Sequence, residues 1–381
     1  MQAYPQVEEY MKTVGLKYIK NSQEFMGGLA ACTSRQYALD MANLLNSRAE
    51  GAPTDNNKFY ALKNETLKGS VYISAAFDGG VFRHIGNMVV DNAQSLKGDV
   101  LDLACDCGIV TCFMAMQCPD SYFTGVDINE KAINNAKELA EKLGINNVDF
   151  KCVDIYEMNL EKEFDAITSF RCLLDVADKK TKPLSFIGER SSREAQYQEA
   201  FSDYSAVISK HLKNGGRLFS VERYTADYGW LGYMQALNEQ GIYMCDGCTL
   251  MRAQDISSVK EYSVTIAVKG AGNNAMQAYE EALAKSFKSG QGYDGGMAEF
   301  ALYYDRDGEI EMTEVLKKSR VIHVFAFATA KNGKRMYYDA SADVRKIKYY
   351  NPKKEESMQK DFDKKCSLFD TETYEFRKTN I

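Results

Sequence analysis

No stretch of this 381-residue chain approaches the roughly 20 consecutive apolar residues that a helix needs to cross a bilayer, so no membrane span is expected. No leader is expected either. The opening Met1-Gln-Ala-Tyr-Pro-Gln-Val-Glu-Glu is neither basic nor apolar, and the expectation is a cytoplasmic protein. Basic charge is not in excess: 47 Lys and Arg stand against 53 Asp and Glu, for a formal net charge of −6. Surfaces that grip phosphate backbones carry a basic footprint, so a nucleic-acid partner is not expected. Glycine is absent where a dinucleotide fingerprint needs it. The G-x-G-x-x-G positions read Ala104, Asp106 and Ile109, which counts against a nicotinamide cofactor.

What is present is a dense apolar chain, 45% hydrophobic, long enough for two or three domains with sizeable cores. Its ten cysteines include Cys105-x-Cys107 and Cys245-x-x-Cys248, a set that could in principle supply four thiolates to a metal. Cysteine also packs as a small buried residue in reducing cells, and Cys245 and Cys248 read as lying within a strand. No metal and no disulfide are expected.

The organising stretch runs from Asp99 to Tyr156. Val100–Leu103 is a short apolar run followed at once by a small-residue turn, the pattern of a buried parallel strand. A helix is predicted over 110–117, and a strand over 122–126 that ends on Asp127. A second helix over 130–143 places Ile133, Ala136, Leu139 and Ala140 at helical spacing and closes on Gly144. A third strand over 148–152 leads to Asp154. This β-turn-α-β-acid-α-β-acid order is the first half of a doubly wound sheet. Asp127 lies 19 positions past Gly108, which suits a grip on ribose hydroxyls. Asp154 would then accept from the exocyclic amine of a purine.

Five motifs appear in order: Leu101-Asp-Leu-Ala-Cys-Asp-Cys-Gly, Gly125-Val-Asp-Ile, Val153-Asp-Ile, Phe164-Asp-Ala-Ile and Leu212-Lys-Asn-Gly-Gly-Arg-Leu. Over roughly residues 70–268 the chain resembles the class I S-adenosylmethionine-dependent methyltransferases. The resemblance implies an α/β fold with a seven-stranded doubly wound Rossmann-like methyltransferase sheet, the last strand antiparallel. An N-terminal helical subdomain over 1–69 and a C-terminal α+β appendage over 271–381 would flank a methyltransferase domain over 70–270. The resemblance also implies S-adenosylmethionine as cofactor. Its contacts would be Asp102, Ala104, Cys105, Asp106 and Gly108 around the first turn, and Asp127 and Ile128 after the second strand. Asp154 and Ile155 after the third strand, with Ser169 and Phe170 ending the fourth, would complete them.

The family's first turn carries glycines at alternate positions, where this chain has Ala104, Asp106 and Gly108. Asp106 would either repel the methionine carboxylate or accept from its ammonium. The expectation is that it points at the ammonium or sulfonium and leaves the turn's N–H groups for the carboxylate. Arg83 and His84 are expected to be exposed rather than to meet that carboxylate.

For the reaction, no Asn-Pro-Pro-Tyr and no Pro-Cys pair appear, which weakens methylation of nucleobases. The three histidines, His84, His211 and His323, do not follow the fifth strand, where the family's phenolic methyltransferases carry one. Candidate general bases are Glu222 with Tyr224 after the fifth strand and Asp175 after the fourth. A small-molecule acceptor with an intrinsically nucleophilic atom is expected, and helices at the N-terminus could cover the cofactor or form a homodimer. Two alternatives stay open. One is a protein or RNA methyltransferase that docks through the appendage. The other, motivated by Asp106, is a non-catalytic Rossmann-like protein that has lost its cofactor.

Overall fold

The computed structural model describes residues 2–49, 56–176, 190–224, 228–256, 258–288, 309–318, 320–329, 335–341, 345–349, 356, 360, 363–364 and 366–380. Six helices come first: α1 (Pro5–Val14), α2 (Ser22–Cys32), α3 (Arg35–Ala49), α4 (Asn56–Lys63), α5 (Leu67–Phe77) and α6 (Gly79–Asp91). The sequence pattern of one helix from Val7 to Ile19 breaks early, because Gly15 adopts φ 88° and caps α1 with its N–H on the Met11 carbonyl. Ser34 starts α3 by accepting from the Tyr37 N–H at 3.1 Å. No periodicity announced α5, since every residue from Leu67 to Ala76 except Lys68 is buried and a helix buried all round shows no stripe.

The main sheet is built from β1 (Asp99–Leu103), α7 (Ile109–Gln117), β2 (Tyr122–Asp127), α8 (Glu130–Leu143), β3 (Val148–Cys152), β4 (Phe164–Phe170), α9 (Leu173–Val176), α10 (Arg190–His211), β5 (Leu212–Glu222), α11 (Tyr228–Glu239), β6 (Ile242–Met244), β7 (Thr249–Gln254) and β8 (Val259–Lys269). Strand order is β3-β2-β1-β4-β5-β8-β6, with β7 also paired to β8. The first five strands are parallel and β8 is antiparallel. This is the doubly wound Rossmann-like sheet, with eight strands where seven were expected. The extra strand arises where the chain around Cys245 and Cys248, read as one strand, divides into β6 and β7. Met244 and Thr249 face Ala267 and Val264 of β8, so the four residues 245–248 oppose only two, 265–266. The surplus bulges out over Cys245-Asp246-Gly247-Cys248, with Gly247 at φ 105°. Cys245 and Cys248 therefore lie in this bulge and not within a strand. Among the described residues no two cysteines form a disulfide.

Side chains alternate across the sheet. Val100, Phe123 and Ala166 join one core with α1–α8, whereas Leu101, Leu103 and Ile167 join the other with α9–α12. The N-terminal helices thus share a core with the sheet. The sheet reverses its winding between β1 and β4, and the carboxyl ends of those strands diverge into a crevice there.

Past the main sheet, α12 (Ala275–Lys288) also belongs to the second core. Its Ala275, Ala278, Tyr279 and Ala282 are buried there, with Tyr279 5.5 Å from the ring of Trp230. A second, antiparallel sheet follows, ordered β12-β11-β10-β9-β13, from β9 (Glu309–Lys317), β10 (Arg320–Thr329), β11 (Arg335–Ser341), β12 (Arg345–Tyr349) and β13 (Glu375–Asn380). Val315 and Phe325 are buried in its own small core. The last strand, β13, pairs with β9 and sets Arg377 against the buried Glu314. Among the described residues, no helix is long and apolar enough to cross a membrane.

Truncation separates the two parts. A chain ending after residue 270 loses the α12 side chains and bares Trp230, at a cost on the order of 5 kcal/mol. A chain ending after residue 288 keeps them. Thermal melts followed by circular dichroism should show a cooperative transition for the longer chain and a much lower or absent one for the shorter. Equal melting of the two would contradict the packing role of α12.

Candidate active site

The turn after β1 is left-handed at alternate residues: Ala104 has φ 53°, Asp106 φ 48° and Gly108 φ 74°. The backbone form that the resemblance associates with glycines is thus kept by an alanine and an aspartate. Aspartate tolerates this region better than most residues. At Gly108 a side chain is excluded, because a Cβ would lie 2.8 Å from Ala136 Cβ and 3.0 Å from the Phe150 ring.

Asp106 does not stand alone in the turn. Its Oδ2 is 2.6 Å from Lys63 Nζ, and its Oδ1 accepts from Asn64 Nδ2 at 2.8 Å. Lys63 is buried at the end of α4. Burial is the largest influence on its ammonium and pulls it down, but the Asp106 carboxylate, Cys107 and Tyr60 together outweigh burial, so the net shift is upward. Asn64 is fixed in turn by Ser70 Oγ, which donates to its Oδ1 at 2.8 Å, and by Asn135 Nδ2, which donates to its carbonyl at 2.9 Å. The turn's own N–H groups are largely spent. Cys105 donates to the Val126 carbonyl, Asp106 to Asp127 Oδ2 and Gly108 to the Cys105 carbonyl. The expected supply of turn N–H groups for an anion is therefore mostly consumed within the protein.

Asp127 accepts at both oxygens, from the Asp106 N–H at 2.9 Å and the Asn129 N–H at 2.9 Å. Burial, with Asp106 nearby, raises its carboxyl to about 6. Asp102 binds β1 to α7 and β4, accepting from Thr111 Oγ1 at 2.5 Å and Thr168 Oγ1 at 2.7 Å. Burial raises it to about 6 as well.

The opposite wall comes from the ends of β4 and β5. Arg171, at φ 64°, forms an ion pair with Asp78. Asp175 accepts from Tyr60 Oη at 2.7 Å and is paired with Arg223. Arg223 also donates to the Arg171 carbonyl at 3.1 Å. Together with Phe59, Phe77, Phe82 and Phe170, these groups enclose a cavity of about 320 Å³, within the usual range for a small-molecule pocket.

Of the residues singled out from sequence, Asp102, Ala104, Cys105, Asp106, Asp127, Phe170 and Asp175 line this cavity. Gly108 lies beneath the turn. The remaining ones lie elsewhere. Ile128 is 64% exposed, and Ile155 is in the second core. Asp154 turns back to accept from the Tyr156 N–H at 2.9 Å. Glu222, only 2% exposed, sits behind the wall. It accepts from Ser169 Oγ at 2.7 Å and from the Leu173 N–H at 3.0 Å, so it supports the segment that carries Asp175 and does not line the cavity. Tyr224 packs its ring on Phe201 at 5.7 Å. Sequence reading missed Tyr60, Lys63, Asn64, Asp78, Arg171 and Arg223. A signal existed for the first three, whose spacing puts them on one face of a helical stretch. Arg171 and Arg223 each stand one residue past a strand end. Arg83 and His84 line a different cavity, and Arg83 pairs with Glu8 at 2.9 Å.

Residues 94–282 match the family described as a methyltransferase domain. The chain carries a class I S-adenosylmethionine-dependent methyltransferase domain. The chain is 24% identical over 183 residues to a probable (S)-tetrahydroprotoberberine N-methyltransferase of Papaver bracteatum, covering 44% of this chain and 50% of that protein. It is 33% identical over 81 residues to a putative methyltransferase of Invertebrate iridescent virus 6, covering 21% of this chain and 29% of that protein. The chain therefore spans half or less of the length of these curated relatives. Among solved structures, magnesium protoporphyrin IX methyltransferase from Synechocystis PCC 6803, with bound S-adenosylmethionine, is similar at 14% identity and a TM-score of 0.39, over 57% of this chain and 99% of that one. Methyltransferases of this family use S-adenosylmethionine.

The buried Glu222 gives the methyltransferase domain a pH signature. Burial raises its carboxyl from 4.5 to about 7. Between those values the folded protein holds a proton that the unfolded chain has released, so this group's contribution to stability falls as pH rises. The span is about 3 kcal/mol. Glu222→Gln removes the titration, so urea unfolding across this range should show the variant gaining up to about 3 kcal/mol on the parent as pH rises. Parallel stability profiles would contradict it.

Proposed function

We propose that the cavity holds S-adenosylmethionine together with a small-molecule acceptor, and that the acceptor is an amine. The observation that carries the reading is the charge and shape of the wall. Five carboxylates, Asp78, Asp102, Asp106, Asp127 and Asp175, face three cations, Lys63, Arg171 and Arg223, among aromatic rings. Such a lining favours a cationic or protonatable aromatic guest over an anion. The name of the Papaver relative, an N-methyltransferase, is in keeping with this.

S-adenosylmethionine supplies an electrophilic methyl group on a sulfonium. The chain's part is to align the acceptor, exclude water and take up one proton. Asp127 accepts from ribose hydroxyls with the lone pairs that Asp106 N–H and Asn129 N–H leave free. Tyr60 gives its own proton to Asp175 in a hydrogen bond of 2.7 Å, so its oxygen lone pairs can receive an amine N–H. Asp175 is the proton acceptor of the set, and Arg223 holds it in place. An amine nitrogen needs no stronger base than this once its proton is shared.

A matched panel tests the assignment. With tritiated-methyl cofactor, label should pass to benzylamine or tetrahydroisoquinoline in preference to phenol or benzoate. Tyr60→Phe should lower that rate about 100-fold. Transfer to the phenol or the benzoate instead would contradict an amine acceptor.

A further inference from the structure

A buried ammonium with donors to spare sits beside the first turn. Lys63 is 6% exposed and lines the cavity. Its Nζ is 2.6 Å from Asp106 Oδ2, while the next carboxylate, Asp78, is 3.7 Å away, beyond hydrogen-bond distance. An ammonium has three donors, so its hydrogen-bonding capacity is incompletely used among the described residues, in a place where burial makes unmet donors costly. The turn meanwhile offers an anion little, because the N–H groups of Cys105, Asp106 and Gly108 are engaged internally. The other two cations of the wall stand on the β4–β5 side, each in an ion pair. Positive charge at the turn is thus delivered by α4.

We propose that Lys63 is the counter-ion for the α-carboxylate at the amino-acid end of the cofactor. Asp106 positions Lys63 for that contact and accepts from the neighbouring α-ammonium. A zwitterionic amino-acid end would match this pair sign for sign, with its carboxylate on Lys63 and its ammonium on Asp106. This explains how an aspartate is accommodated in the turn: the acid and the lysine form one recognition unit. The inference rests on the reading of this cavity as the cofactor site.

The test compares two ligands that differ only in that end, S-adenosylhomocysteine and methylthioadenosine, by calorimetric titration. Lys63→Met should weaken S-adenosylhomocysteine about 10- to 100-fold while leaving methylthioadenosine within about twofold. Asp127→Ala, at the ribose, should weaken both. Because Lys63→Met leaves Asp106 without its cation, the pair Lys63→Met with Asp106→Asn is measured alongside. It should keep the parent's circular dichroism and melting and show the same selective loss. Equal losses for both ligands would reduce Lys63 to a structural role and overturn the proposal, as would unchanged S-adenosylhomocysteine binding in the folded double variant. Failure of the parent protein to bind either ligand would instead overturn the cofactor reading on which the proposal rests.

Discussion

The Asp106 carboxylate lies in a left-handed turn at the head of the sheet, 2.6 Å from a lysine of another helix. The lysine side chain is only 7% exposed and would be costly there without a counter-ion, whereas the aspartate keeps about 30% of its surface. The pair therefore ties α4 to the turn after β1, and Asn64 extends the tie to α5 and α8 through Ser70 and Asn135. The N-terminal helices are in this way part of the cavity's construction. They supply Tyr60 and Lys63 to its wall and share the core beneath it.

A second consequence is electrostatic. Three acids at strand ends, Asp102, Asp127 and Glu222, are raised by burial. Each is held by donors that favour its charged form, and burial still outweighs them. Two line the cavity, and the third supports its wall from behind through the Leu173 N–H. A site assembled this way is stiff, since each carboxylate joins elements distant in sequence: β1 to α7 and β4, the first turn to β2, and β5 to the segment after β4.

The parallel half of the sheet was legible because its signals are local. Apolar runs of strand length, an acid at each strand end and glycine-closed helices all lie within a few residues of one another. Features set by tertiary contact were not. Helix α5 hides because it is buried all round. The break at Cys245–Cys248 depends on how many residues β8 offers opposite it, which the strand's own composition does not state. In the site, Asp106 and Asp127 were found because they sit on the motif-bearing strands. Asp154 and Glu222 occupy the expected strand ends, but local hydrogen bonds turn them away from the cavity. Lys63 and Tyr60 went unseen because only the docking of α4 brings them to the turn.

The central claim is that the cavity at the ends of β1, β2 and β4 is where the cofactor binds. Amide hydrogen exchange, measured with and without saturating S-adenosylhomocysteine, tests it most directly. The account predicts slowed exchange concentrated in residues 59–64, 104–111 and 127–129. Absence of protection there, or protection confined to the other cavity around Arg83 and Arg252, would contradict it.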